Sequence, residues 1–140
     1  MAIEFYQQLS LLPKAILSQV IQVDSEVMDF PWGAKQWEHF LSTEASWMLV
    51  TQCEAQTLKG FALFQLSDDD WSHLLKIGVA QEYKRCGIAR HLLEKSLDRL
   101  KNDYKTCSLE VREDNLAAIS LYNRFDFNMC FPSDRFLISK

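Results

Sequence analysis

Residues 72–101 read SHLLKIGVAQEYKRCGIARHLLEKSLDRLK, and the hydrophobic period changes once along them. His73, Leu75, Ile77 and Val79 alternate with Leu74 on the other side, which predicts a strand. Ile88, Leu92, Leu93, Leu97 and Leu100 recur at spacings of three and four, which predicts a helix. Between the two lies a short basic turn, Lys84-Arg85-Cys86-Gly87-Ile88-Ala89, whose Gly87 opens the helix. The first turn of a helix carries unpaired N–H groups and the positive end of the peptide dipoles, so it suits an anion. Lys84, Arg85 and Arg90 add cations at that place. The turn reads as a pyrophosphate cradle, or else as a plain strand–turn–helix connection with solvated charges.

Composition bounds the rest. A chain of 140 residues suits one domain, residues 1–140, and 48% hydrophobic residues are enough for a proper core. Net charge is −4, which argues against a general nucleic-acid binder. Residues 81–95 reverse that sign, with Lys84, Arg85, Arg90 and Lys95 against Glu82 and Glu94. Cys53, Cys86, Cys107 and Cys130 are scattered without a C-x-x-C pair, so reduced thiols in a cytoplasm are expected, with no metal site or disulfide frame. Cys86 lies beside cations at a helix start, where a thiol can be unusually acidic; it is also a small residue that fits a turn. No basic leader or 18-residue apolar run occurs, so neither secretion nor a membrane span is expected.

In chain order, residues 3–7 suggest an edge strand. A helix follows from Ser10 and Pro13 to about Asp29, its apolar face formed by Ile16, Leu17, Val20, Ile21, Val27 and Met28. Pro31 forces Phe30 to be extended and breaks the chain before a second helix at 34–41. Phe30, Trp32 and Trp37 are then a lid on the core or the wall of a substrate site. Strands are expected at 47–53 and 60–66 around a polar turn, and Ser67-Asp68-Asp69-Asp70 reads as a solvated turn. After the organising stretch come a strand at 106–112, a helix at 116–124 capped by Asn115, and strands at 127–131 and 135–139. The order implies a mixed α/β domain: one mostly antiparallel sheet with a central, right-handed strand–helix–strand crossover.

Neither G-x-G-x-x-G nor G-x-x-x-x-G-K-[ST] is present, so a dinucleotide fold and a P-loop are not supported. The basic turn instead resembles the [QR]-x-x-G-x-[GA] signature of the GCN5-related N-acetyltransferases, read here as Lys84-x-x-Gly87-x-Ala89 with Lys in place of Gln or Arg. Residues 109–127 resemble that family's L-E-V-R-x-x-N-x-x-A-x-x-L-Y-x-x-x-G-F, with Asp126 in the glycine's place. With Phe30-Pro31-Trp32, they look most like the RimI-like ribosomal-protein alanine N-acetyltransferases.

The resemblance implies the family's fold and a direct transfer of acetyl from acetyl-CoA to a primary amine in a ternary complex. It implies that CoA is held by Lys84, Arg85, Cys86, Gly87, Ile88, Ala89, Arg90 and Asn115. Its pantetheine arm would lie along Ile77, Gly78 and Val79, where the strand splays from 106–112. Gly78 would mark that splay, or it makes room for a bulky neighbour. By the same resemblance Tyr122 protonates the leaving thiolate and Glu110 takes the amine's proton, with His73 as a second candidate base. Phe30, Trp32 and His73 would face the acceptor. The acceptor is expected to be a protein N-terminus; a small amine, or a non-catalytic CoA-binding module, is the alternative. Only Pro132, Ser133 and Asp134 separate the last two strands, where the resembled branch has a long loop, so its ribosomal substrate is not carried over.

Overall fold

Residues 47–50 and 61–64 are apolar at every position, which suits strands covered on both faces rather than on one. The computed structural model describes residues 2–42, 47–130 and 135–139, with the backbone alone in 128–130 and 135–139. Strand β1 (Ala2–Tyr6) leads to helices α1 (Lys14–Val27) and α2 (Ala34–Ser42). Then come β2 (Trp47–Glu54), β3 (Thr57–Ser67), β4 (Trp71–Val79), α3 (Ile88–Leu100), β5 (Thr106–Arg112) and α4 (Leu116–Asn123). Strands β6 (Asn128–Cys130) and β7 (Arg135–Ser139) close the chain. The sheet order is β1-β2-β3-β4-β5-β7-β6; β4 and β5 are parallel and the other described pairs antiparallel. The expected fold class holds. The final loop, Pro132 to Asp134, lies outside the described residues.

Each face of the sheet has its own core. Trp47, Leu49, Phe61 and Leu63 pack with Val20 and Val23 of α1 and Trp37 of α2. Met48, Val50, Ala62 and Phe64 pack with Ile88, Leu92 and Leu93 of α3 and with Tyr122 and Phe127. The result is three layers, helix–sheet–helix. Helix α1 starts after Pro13, as expected, but ends at Val27, two residues short of Asp29. Its buried stripe is Val20, Val23 and Asp24. The expected stripe omitted Val23 and Asp24, the latter because a carboxylate at a core position reads as solvated surface.

Strand β4 departs from plain alternation. Leu74 pairs with Phe64 and Lys76 with Leu63, which leaves Leu75 unopposed in a β-bulge. Leu74 therefore packs on the α3 face, Leu75 on the α1 face, and Ile77 and Val79 on the α3 face again. This corrects the expectation that His73, Leu75, Ile77 and Val79 share one side. The bulge sits at Leu75 and not at Gly78. Gly78 pairs with Phe61, and a Cβ there would lie 2.9 Å from the Phe61 ring, so the glycine makes room for a bulky neighbour. Gly78→Ala is expected to lower the unfolding free energy by about 1–3 kcal/mol by overpacking, as read by chemical denaturation. An unchanged midpoint would show that the ring yields.

Candidate functional site

The ladder between β4 and β5 runs from Trp71–Thr106 to Leu74–Leu109 and ends there. Both strands continue, β4 to Val79 and β5 to Arg112, so the sheet forks. On its other edge, β4 stays paired with β3 as far as Val79. Ile77, Gly78 and Val79 thus border the fork, and their backbone edge suits an extended chain added as a strand. The fork lies between the two strands for which the resemblance implied it, and it opens beside the bulged Leu75, not at Gly78.

Beyond Val79, a single 3-10 turn (Gln81–Tyr83) and the extended Lys84 lead into α3. Arg85 (φ 64°) and Gly87 (φ 76°) take left-handed conformations, and Gly87 is the N-cap of α3. A Cβ on Gly87 would meet nothing within 4 Å, so glycine is required by conformation and the space over the turn is open. Ile88 is buried and anchors the helix start, and Ala89 is half-buried. Lys84, Arg85, Cys86 and Arg90 are exposed around it. The Cys86 thiol donates to the Lys84 carbonyl at 3.6 Å. Open amides, an exposed cation cluster and a glycine without overhang fit a diphosphate.

Tyr122 lies on the same side of the sheet as this turn. Asn115 caps α4, its side-chain oxygen accepting the Ala118 N–H at 3.2 Å, so its side chain already has a structural use. Near the other end of the same helix, Tyr122 is 5% exposed and packs against Phe127, ring centroids 6.0 Å apart. Burial first, and the nearby Cys107 second, push its phenol up to about 12. It is therefore a neutral proton donor at pH 7. Asp126, at the position where glycine is usual, adopts φ 61°, the left-handed conformation that Asp tolerates.

The opposite face holds different chemistry. Cys107, Leu109 and Val111 point into the α3-side core, so Ser108, Glu110 and Arg112 face the α1 side. Ser108 is buried, and its Oγ accepts the Trp71 indole N–H at 2.6 Å. His73 Nδ1 lies 2.7 Å from the same oxygen. The indole can only donate, so Ser108 Oγ accepts from Trp71, and its bond with Nδ1 takes the direction that the His73 tautomer sets. Burial pulls the His73 pKa below its usual 6.5, while the charge of Glu110 opposes the shift. Glu110 itself is exposed.

The three aromatics expected to act together divide. Trp37 is core, Trp32 is half-buried against Trp37 and Phe40, and Phe30 is 70% exposed with the Arg112 guanidinium 5.5 Å from its ring centre. Trp71, Ser108, Asp24 and Lys76 join these surroundings without a motif or periodicity to mark them. The last two form a buried ion pair at 2.7 Å. A lysine in mid-strand between Leu75 and Ile77 was the available hint.

Residues 17–127 match the model of the Acetyltransferase (GNAT) family. The chain belongs to this family. It is an N-acetyltransferase that uses acetyl-CoA, as the resemblance implied. A [ribosomal protein bS18]-alanine N-acetyltransferase of Escherichia coli is 34% identical over 122 residues, 86% of this chain and 80% of the relative. An N-alpha-acetyltransferase of Saccharolobus solfataricus is 47% identical over 57 residues, 39% of this chain and only 34% of that relative. The crystal structure of the ribosomal-protein-S18-alanine N-acetyltransferase from E. coli superimposes with a TM-score of 0.83 and 25% identity, covering 99% of this chain and 92% of that one.

The His73 environment has a consequence for this acetyltransferase in acid. With a folded pKa below the unfolded value, the unfolded imidazole takes up a proton that the folded one resists, so stability falls as pH drops below about 6.5. His73→Gln is expected to flatten the loss of unfolding free energy between about pH 6.5 and 5, measured by urea titration at each pH. A slope unchanged from the parent would contradict the burial of a neutral ring.

Proposed function

We propose that the enzyme acetylates protein or peptide N-termini by direct attack of the α-amine on the thioester, with Tyr122 as general acid and Glu110 as general base. One observation carries this reading: beyond the last β4–β5 pair Glu110 faces the α1 side, while the buried, neutral phenol of Tyr122 belongs to the core on the α3 side. Aminolysis needs both functions, on opposite sides of the reacting carbonyl. The nitrogen–carbon bond forms and the carbon–sulfur bond breaks. Tyr122 gives its proton to the departing sulfur, and the amine's proton passes to Glu110, directly or through water. His73, backed by Ser108, holds the neighbouring polar surface of that base.

On the donor side, the fork edge at Ile77, Gly78 and Val79 would take the pantetheine arm. The turn from Lys84 to Arg90 would take the diphosphate, with Asn115 at the start of α4 close to that arm. On the acceptor side, Phe30, Trp32 and His73 border the approach to Glu110. A recess of about 330 Å³ edged by Gln65, Ser67, Asp68, Trp71 and His73 supports an acceptor longer than a bare amine. The relatives' printed activities on N-termini support an α-amine. So does its acidity: at pH 7 an α-amine of pKa ~7.8 costs about 1 kcal/mol to deprotonate, whereas a lysine of ~10.4 costs about 4.6. The acidic net charge supports a partner other than nucleic acid. Among the described residues no helix is long and apolar enough to cross a membrane. The free thiols of Cys53, Cys86 and Cys107 support a cytoplasmic site of action.

Tyr122→Phe is expected to lower kcat by about 10²–10⁴ while a thermal shift with acetyl-CoA persists. Turnover equal to the parent's would remove Tyr122 from the mechanism. A panel of an Ala-initiated peptide, an N-blocked lysine peptide and a polyamine should release CoA thiol with the first alone. Release only with the polyamine would assign a small-molecule acceptor, and binding of CoA without release on any member would overturn the acceptor reading.

A further inference from the structure

Lys76 sits immediately after the bulged Leu75, and the bulge alone turns its side chain toward α1. Without it, alternation from Leu74 would send the lysine into the apolar α3-side core. Its ammonium meets Asp24 Oδ1 at 2.7 Å, with 4% and 0% of the two side chains exposed. The pair does not stop at itself. The second oxygen of Asp24 accepts the Trp32 backbone N–H at 2.9 Å. The same ammonium donates to the Phe30 carbonyl at 3.4 Å and lies 4.8 Å from the centre of the Trp32 ring. Four contacts thus link the strand at the fork, α1 and the six-residue break between α1 and α2.

An ion pair this deeply buried gives little net stability compared with an apolar pair of the same shape, so its presence needs another reason. The segment it holds supplies one. Pro31 removes one backbone donor from Phe30–Trp32, and Phe30 is left exposed toward Arg112 on the β5 side of the fork. We propose that Asp24 and Lys76 are positioning residues that fix Phe30–Trp32 over the fork, and so set how tightly the acceptor, and not acetyl-CoA, is held. The inference rests on the reading of the α1 face as the acceptor side. Lys76 touches no reacting atom; it acts through the main chain of Phe30 and the ring of Trp32.

The test uses the full chain with an Ala-initiated peptide as acceptor. Asp24→Leu/Lys76→Met removes the charges together and leaves no unpaired ion. We expect acceptor KM to rise about tenfold, acetyl-CoA KM to stay within twofold, and hydrogen exchange at the Trp32 amide to accelerate. Asp24→Asn, nearly isosteric, is the second arm should the double variant not fold. It should show the same split with about a threefold rise in acceptor KM, and Lys76→Arg should retain most of the affinity. Acceptor KM within twofold of the parent's in a folded variant, or equal rises in both KM values, would overturn the proposal. If KM is unmoved while Tyr122→Phe still abolishes turnover, only this inference falls. If Tyr122→Phe is fully active, the mechanism beneath it falls instead.

Discussion

One unpaired residue, Leu75, organises the functional half of this protein. A strand of period two can present a given side chain to only one face, and a single inserted residue reverses that choice for everything after it. Before the bulge, Leu74 serves the α3-side core; after it, Ile77 and Val79 do. Lys76 is thereby delivered to Asp24 on the other side. The ladder to β5 stops at Leu74, beside the bulge, so the change of phase and the opening of the fork coincide.

The fork matters because it is the one place where the two cores of the described sheet can address a common point. The α3 side offers a buried donor, Tyr122, held neutral by desolvation, and beside it the anion-compatible turn at Gly87. The α1 side offers Glu110, exposed to water and able to accept a proton, with His73 and Ser108 hydrogen-bonded alongside. A single-faced site would expose acid and base to the same solvent and to each other. Two faces of one sheet keep Tyr122 dry and Glu110 wet, which is the difference that the proposed roles of acid and base call for.

Two polar clusters lie on the α1 side, the buried Asp24–Lys76 pair and the partly exposed Trp71–Ser108–His73 group. Each is knit to its surroundings by short hydrogen bonds, as groups withdrawn from water must be. The first joins the α1–α2 break to the sheet; the second braces the sheet beside the fork. Glu110 follows Ser108 on the same face of β5, and its charge is felt by His73.

Local pattern read from the sequence was enough for the strands and helices, for the Gly87 turn and for the core stripe of α3, because each depends on neighbours at most four positions away. The two family-like blocks were legible for the same reason: their residues are close along the chain. Asp24 and Lys76 are 52 positions apart and Trp71 and Ser108 are 37 apart, so neither pairing leaves a local trace. Gly78 looked like a bulge because a strand glycine often is one; that it yields space to Phe61 depends on the facing strand. What the sequence by itself determined, then, was which segments form which elements and what a turn with Gly87 can hold. Which face each side chain of β4 serves, and which buried charge meets which, was decided only by the tertiary structure, since a bulge is a relation between two strands and belongs to neither alone.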